Sequence, residues 1–402
     1  MLKKMSDQLC KDNVLKLFYS ERNCTKEDFY GEIEYFMEGI SEEELAKRII
    51  NWCPDLVVSI SLPDNNAVRD ASLSRFFSKN KIPYIMHPLE SVMILSNKWD
   101  TVRFLRKRGV EVPKTIYVSG DLISKRVNGY GSYLNIIEHK LNSFCFPCIV
   151  KPLWDSMSQG IKKFEDLKNL MAFLRSIKVD HIIQEYVSGE LLGIEAITYG
   201  EDVYFQPLIK KYTDENLMPF AHLRYGPYEE LGDEELNTLK NKLKCICLEL
   251  RLNGSVEFEL IYDKKKSRVY ILEINPRISG MTNLSSMISK ENTYTLLAKR
   301  KLPTHKLPYQ YAVELPLKKF TAEDEKKVSG INEVRNIQKV VYHTGEVQVK
   351  IIATSNNLSK IITAIKKLST YGLLEANIIK ESGKLNEVSK SNRCTYPDVE
   401  KN

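Results

Sequence analysis

No run of eighteen apolar residues occurs anywhere in the 402-residue chain, which excludes a membrane-spanning helix. The first residues, Met1-Leu2-Lys3-Lys4, lack the apolar stretch of a secretory leader, so a cytoplasmic location is expected. Eight cysteines are too few, in a chain this long, for a disulfide framework, and a reducing compartment suits them. Cys145 and Cys148 do form a CxxC. Phe146 and Pro147 lie between them and an apolar strand follows, so core packing accounts for the pair better than redox or zinc chemistry. The net charge of +7 is mild, and no basic stripe with interleaved aromatics is present. Nucleic acid is therefore not the expected partner, whereas an anionic small molecule such as a nucleotide fits. A Walker A loop is absent as well.

The remaining composition, 43% hydrophobic and 28% charged, is that of a globular protein. The length calls for two or three domains. Over residues 1–96, strands at Val14–Tyr19, Asp55–Ile60 and Ile82–Met86 alternate with helices at 41–52 and 66–79. That order predicts an open parallel α/β layer. Ser41 followed by Glu42, Glu43 and Glu44 has the residue types of a capping box. A helix is expected over 96–108, ended by Gly109. Strands follow at 113–118, 146–152, 181–187, 191–199, 203–212, 254–263 and 268–277, with helices over 164–177 and 233–250. Residues 304–380 read as a small C-terminal lobe with strands at 311–315 and within 337–353 and a helix at 358–368. From Glu381 to the end the chain turns polar and reads as a flexible tail.

The stretch Gly254 to Arg277 is the most informative. Two alternating strands flank a polar turn near Lys265. Val256, Phe258 and Leu260 share one face, and Glu257 and Glu259 the other. In the second strand Leu272 and Ile274 share a face, opposite Glu273, Asn275 and Arg277. Lys265 is equidistant from Glu257 and Glu273, so a hairpin closed there sets these carboxylates opposite one another, with Cβ atoms roughly 4.5–5.5 Å apart. Like charges at that range destabilise a sheet unless a cation lies between them. Glu257, Glu273 and Asn275 offer only oxygen, which suits Mg²⁺ or Mn²⁺ and, through it, substrate phosphates. The competing account is a solvated acidic strand face. Arg277 on the same face favours the metal, because a guanidinium there can clamp developing negative charge.

A second signal is the apolar strand ending in Lys151-Pro152. An ammonium there needs an anion or solvent. The next loop carries Ser156, Ser158 and Gly160, which allow backbone N–H groups to approach phosphate. A third is the apolar strand through Gln184, Glu185, Tyr186 and Val187, whose end could present backbone groups to an adenine ring.

Together, in this order and spacing, these motifs resemble the ATP-grasp superfamily of carboxylate–amine ligases, over about residues 90 to 300. The family includes D-alanine–D-alanine ligase, biotin carboxylase and amino-acid ligases. The resemblance implies the ATP-grasp fold over 97–303, mixed α/β and α+β, behind an N-terminal open parallel-sheet domain. It implies ATP and Mg²⁺ (or Mn²⁺) as cofactors, with Lys98, Lys151, Ser158 and Gly160 on phosphates. Gln184, Glu185 and Val187 would lie at adenine, and Glu257, Glu273 and Asn275 on metal. Arg277 would stabilise an acyl phosphate. The usual ribose glutamate position holds Leu191, so Glu190 is the substitute. Lys210, Lys211, His222, Arg224, Ser279 and Gly280 are substrate candidates. The phosphate loop is poor in glycine, and the Asn275-Pro276-Arg277 end and the following Ser279-Gly280 resemble different subfamilies.

The activity implied is ligation: ATP activates a small carboxylate, an amino acid for preference, as an acyl phosphate that an amine then attacks. A bicarbonate-activating enzyme, a non-catalytic ATP-binding protein and a hydroxyl kinase are the alternatives. Partners are small-molecule substrates rather than nucleic acid or membrane, and the resemblance implies a homodimer through the first domain.

Overall fold

The structure is a computed structural model and describes residues 1–20, 28–62, 64–124, 132–154, 160–213, 222–304, 307–318, 320–341 and 347–392. The N-terminal layer holds two separate parallel pairs. Lys16–Tyr19 pairs with Glu32–Tyr35, and Val57–Val58 with Tyr84–Ile85. Helices Glu42–Asn51 and Asp64–Lys79 pack there through Leu45, Ile49, Leu73 and Phe77. The first helix starts where it does because the Ser41 hydroxyl accepts the Glu44 N–H at 3.2 Å.

The helix expected over 96–108 is Lys98–Arg106, and a second helix that the sequence reading missed, Leu89–Ser96, comes directly before it. Asn97 separates them. Its backbone is extended, and its side chain accepts the Trp99 and Asp100 N–H groups at 3.0 and 3.1 Å. Lys98 thereby becomes the first residue of a helix, and its own N–H donates to the Leu153 carbonyl at 3.3 Å.

Next comes a four-stranded antiparallel sheet, in the order Thr115–Val118, His181–Glu185, Cys148–Pro152, Lys162–Phe164. Helices Tyr133–Leu141 and Leu167–Leu174 cover one face through Ile137, Leu141, Leu170 and Leu174. Cys148 lies in that core, where burial pushes its thiol up to about 12, while Cys145 is exposed and both are free. Core packing therefore accounts for Cys148 but not for the exposed Cys145.

The largest sheet has nine strands, all antiparallel. Its spatial order is Arg268–Asn275, Gly254–Asp263, Glu190–Tyr199, Ile209–Lys211, Arg224–Gly226, Tyr311–Pro316, Val347–Ser355, Val334–Val341, with Asp202–Phe205 alongside Glu190–Tyr199. The strand expected over 203–212 is therefore two. The strands after residue 304 continue this sheet. Helices Asp233–Glu249 and Leu358–Thr370 bury Leu239, Leu243, Ile361 and Ile365 against it.

The flexible tail expected from Glu381 is corrected as far as Asn392: Ala376–Asn392 is a helix. Ile378 and Leu385 are buried, and so is Glu381, which accepts the Leu223 N–H at 3.0 Å. A few apolar residues at helical spacing anchor an otherwise polar segment. Residues 393–402 lie outside the described set.

His87 ties the N-terminal layer to the carboxylate hairpin. The Asn253 N–H donates to its Nδ1 at 3.1 Å, so Nε2 carries the proton and donates to the Ser255 carbonyl at 2.7 Å. Burial lowers its pKa to about 4. No helix among the described residues is long and apolar enough to cross a membrane.

Candidate active site

The four-stranded and nine-stranded sheets enclose a cleft of about 460 Å³. Ile149, Val187, Leu191, Ile261 and Leu272 give it apolar walls, and Lys98, Lys151, Glu257, Glu273 and Arg277 are among the charged side chains that line it. Larger hollows of about 1340 and 1170 Å³ lie elsewhere, but they bring together none of the residues picked out by the sequence motifs.

The hairpin register differs from the expected one. Glu257 stands opposite Asn275, and Glu273 opposite Glu259. Two features cause this. The turn runs from Lys264 to Ser267 between paired Asp263 and Arg268, so its centre lies past Lys265. A bulge then offsets the strands, because Leu260 pairs with Ile271 while Glu259 pairs with Glu273. Leu272 is the extra residue. It lines the cleft with Glu273, and Ile271 takes the core position assigned to Leu272. Glu257, Glu259, Glu273, Asn275 and Arg277 nonetheless all face the cleft.

Glu259 is the carboxylate the opposed-pair reasoning left out. It and Glu257 share the Lys211 ammonium at 2.7 and 2.8 Å. Burial by itself would lower the Lys211 pKa, but the two carboxylates outweigh it and hold it above the usual lysine value. Against the opposing effect of burial, Lys211 keeps Glu259 below the usual carboxylate range. Gly193 makes room for this arrangement: a Cβ there would lie 2.6 Å from Met281 Sδ and 2.8 Å from Lys211 Cε.

Glu273 is held differently. Lys151 Nζ lies 3.5 Å and Lys98 Nζ 3.9 Å from its Oε1, ion-pair distances too long for hydrogen bonds. Both lysines are buried and come from separate elements, a strand end and a helix start. Asn275 Nδ2 donates to Glu257 at 3.2 Å, leaving the amide oxygen for another partner. The donor set of Glu257, Glu273 and Asn275 is all oxygen, and Glu273 is open to a further cation. These residues fit magnesium. Among the described residues no three His, Cys, Asp or Glu side chains form a ready cage. Magnesium needs none, since it characteristically takes one or two carboxylates and completes its shell with water and phosphate.

Arg277 pairs with Asp64, the first residue of an N-terminal helix, and donates to the Ile278 carbonyl at 3.2 Å. Asp64 carried no sequence signal. Neither did Glu195, fully buried beside Glu257 on the neighbouring strand. Burial raises its pKa although three hydroxyls, of Ser279 at 2.7 Å, Thr282 at 2.5 Å and Ser285, donate to it. Through them it fixes the loop bearing Ser279 and Gly280.

Several candidates are placed elsewhere. Lys210 points away from Lys211, by strand alternation, and pairs with Glu190. Glu190 also meets Lys264 at 3.4 Å and lines an adjoining polar pocket, which shares Gly189, Leu191, Lys211 and Thr213 with the cleft. Against the effect of burial, these lysines hold Glu190 below the usual carboxylate range. His222 is buried against Glu381 and anchors the last helix. Gln184 donates to Thr115 Oγ1 at 3.2 Å, and Glu185 and Val187 border the cleft beside it. Gly160, in the left-handed region at φ 73°, follows the loop, and Ser158 lies outside the described residues.

Residues 95–281 match the ATP-grasp domain family. A carbamoyl-phosphate synthase of Methanobrevibacter smithii is 23% identical over 257 residues, covering 61% of this chain and 65% of that protein. The chain thus spans about two thirds of that relative's length, just under it. Among solved structures, N5-carboxyaminoimidazole ribonucleotide synthetase of Thermus thermophilus aligns with a TM-score of 0.72 at 14% identity, over 92% of this chain and 94% of that one. An L-amino acid ligase of Bacillus licheniformis aligns at 0.69 and 15%, with the same 92% and 94% coverage. A domain match through residues 95–281, a little under half of the chain, and a fold shared over nine-tenths of its length show that the chain resembles the ATP-grasp enzymes.

Proposed function

We propose that the chain is an ATP- and Mg²⁺-dependent ligase that activates a small carboxylate, of the amino-acid class, as an acyl phosphate and joins it to an amine. The observation that carries this reading is the meeting of Lys98 and Lys151 on the loosely held Glu273, beside Glu257, Asn275 and Arg277, in a cleft that also has apolar walls. The apolar walls take the flat faces of a nucleobase, and the charged group around Glu273 takes its phosphates. Lys98 and Lys151 neutralise phosphate oxygens. Glu257, Glu273 and Asn275 would hold magnesium, which when bound would supply further neutralisation of phosphate charge. The substrate carboxylate attacks the terminal phosphorus, the bond to the bridging oxygen breaks, and ADP leaves. Arg277, kept in place by Asp64, steadies the charge on the acyl phosphate. The amine then attacks the acyl carbon, the carbon–oxygen bond to phosphate breaks, and the amine's proton passes to solvent. On this reading His222 binds neither nucleotide nor substrate, Lys210 and Glu190 lie in the adjoining pocket, and Lys211, Arg224, Ser279 and Gly280 remain at the site. A homodimer and a cytoplasmic setting accompany the proposal.

A second reading, bicarbonate activation, is favoured by the sequence similarity to a carbamoyl-phosphate synthase. One assay separates the two. Purified protein receives ATP, MgCl₂ and combinations of amino acids, amines and bicarbonate, and ADP and phosphate are both measured. Phosphate release that requires a carboxylate together with an amine supports the ligase. Release driven by bicarbonate alone supports the second reading, ADP without free phosphate a kinase. No turnover under any combination overturns the enzymatic reading.

A further inference from the structure

Beyond Arg277 the cleft continues beneath the C-terminal part of the large sheet. Four adjacent strands place four polar side chains in a row there. Arg224 is directly opposite Glu314. Glu314 pairs with Ile352, two residues from Lys350 on the same strand, and Lys350 pairs with Gln338. All four line the same cleft as the carboxylate hairpin. Arg224, Glu314 and Lys350 are only 4%, 3% and 6% exposed.

These groups are buried but poorly matched to one another. Arg224 Nη1 and Lys350 Nζ lie 3.4 and 3.7 Å from Glu314 Oε1, in ion-pair range. Among the described residues, Arg224 Nε, Glu314 Oε1, Gln338 Nε2 and Asn283 Oδ1 have no hydrogen-bond partner. Leaving such groups unmatched is costly, and more so when they are charged, so a native site retains them for a reason. The frame around them is rigid. Gly280 C=O accepts from Arg224 Nη1 at 3.0 Å, and Asn283 Nδ2 donates to Gln338 Oε1 at 3.1 Å.

The unmatched set is two-sided. Arg224, Lys350 and Gln338 offer donors and two positive charges. Glu314 and Asn283 offer acceptors and one negative charge. A carboxylate alone would face Glu314, and a simple amine would face two cations. Bicarbonate brings no cation for Glu314. A small molecule carrying both an anionic and a cationic group matches every unpaired atom. We propose that this row is the binding subsite of a free α-amino acid, its carboxylate on Arg224, Lys350 and Gln338 and its ammonium on Glu314 and Asn283. The subsite lends the word substrate to its occupant only through the ligase reading; the binding itself stands apart from turnover. The strands after residue 304 thus supply specificity to a site whose nucleotide end lies in the preceding domain.

Equilibrium binding tests this without turnover. The full chain is titrated calorimetrically, with MgADP present, against each of the common α-amino acids. The tightest binder is then compared with its N-acetyl and methyl-ester forms and with bicarbonate. The free amino acid is expected to bind, and blocking either end to weaken it at least tenfold. Glu314→Gln should weaken the free amino acid and narrow its advantage over the N-acetyl form. Lys350→Met should narrow its advantage over the ester, with MgADP affinity unchanged in both variants. Equal affinity for blocked and free forms, binding of bicarbonate but of no amino acid, or no binding by any of the panel overturns the subsite. If amino acids bind in this pattern but no phosphate is released with any amine, the ligase reading fails and the subsite stands.

Discussion

Replacing Lys350 with methionine should make the protein more stable while weakening amino-acid binding. Burial presses the Lys350 ammonium from 10.5 down to about 8, with Glu314 offsetting only part of the effect and Arg224 adding to it. The gap of 10.5 − 8 corresponds to about 3 kcal/mol, at about 1.4 kcal/mol per pKa unit, by which the charged side chain opposes folding at neutral pH. Methionine fills a similar volume without charge. Glu314 is not orphaned by the change, because Arg224 Nη1 stays 3.4 Å away. The sign follows from proton binding. Between pH 8 and 10.5 the unfolded lysine holds a proton that the folded one has lost, so the wild type gains stability as pH rises and the variant does not. The advantage of Lys350→Met is therefore largest below pH 8, up to about 3 kcal/mol, and fades towards pH 10.5. Thermal melts of both proteins from pH 7 to 10 read this out, at roughly 1 °C per kcal/mol for a chain of 402 residues. A variant that melts lower than the wild type at pH 7, or a difference that does not shrink with pH, refutes the reasoning.

Glu273→Gln keeps the volume but loses the charge that meets Lys98 and Lys151, so steady-state phosphate release should fall at least about 100-fold with circular dichroism unchanged. Gly193→Ala drives a methyl into Met281 and Lys211, so both stability and activity should fall, the former by about 1–3 kcal/mol in urea unfolding. His87 has its pKa lowered from 6.5 to about 4 by burial. The unfolded imidazole takes up a proton first, so stability is retained above pH 6.5 and lost as pH falls towards 4, by up to about 3 kcal/mol. His87→Asn should flatten that slope in urea titrations across the range.

Much of the architecture is written locally. Period-two alternation gives the faces of the hairpin, and helical spacing gives the helices over 233–249 and 358–370. Register is not local. The bulge at Leu272 leaves the charged residues on their face yet changes which one opposes Glu273, and no residue type announces it. Asp64 meets Arg277 across 213 residues of sequence, and Glu195 sits inside an apolar run that reads as plain core. Arg224, Glu314, Lys350 and Gln338 come from four strands that become neighbours only when the sheet is assembled. His222 looked available for substrate because the sequence hides its partner, Glu381, in a polar C-terminal stretch. Lys210 and Lys211 are adjacent in the chain yet serve opposite faces, and only the fold decides which of them meets the carboxylates.

The most direct test is crystallographic: the protein soaked with manganese and a non-hydrolysable ATP analogue, with anomalous scattering recorded for the metal. The account predicts manganese peaks within coordination distance of Glu257, Glu273 and Asn275, with Lys98 and Lys151 on the phosphates. Phosphates bound elsewhere, or a cleft with no metal at saturating nucleotide, would contradict it.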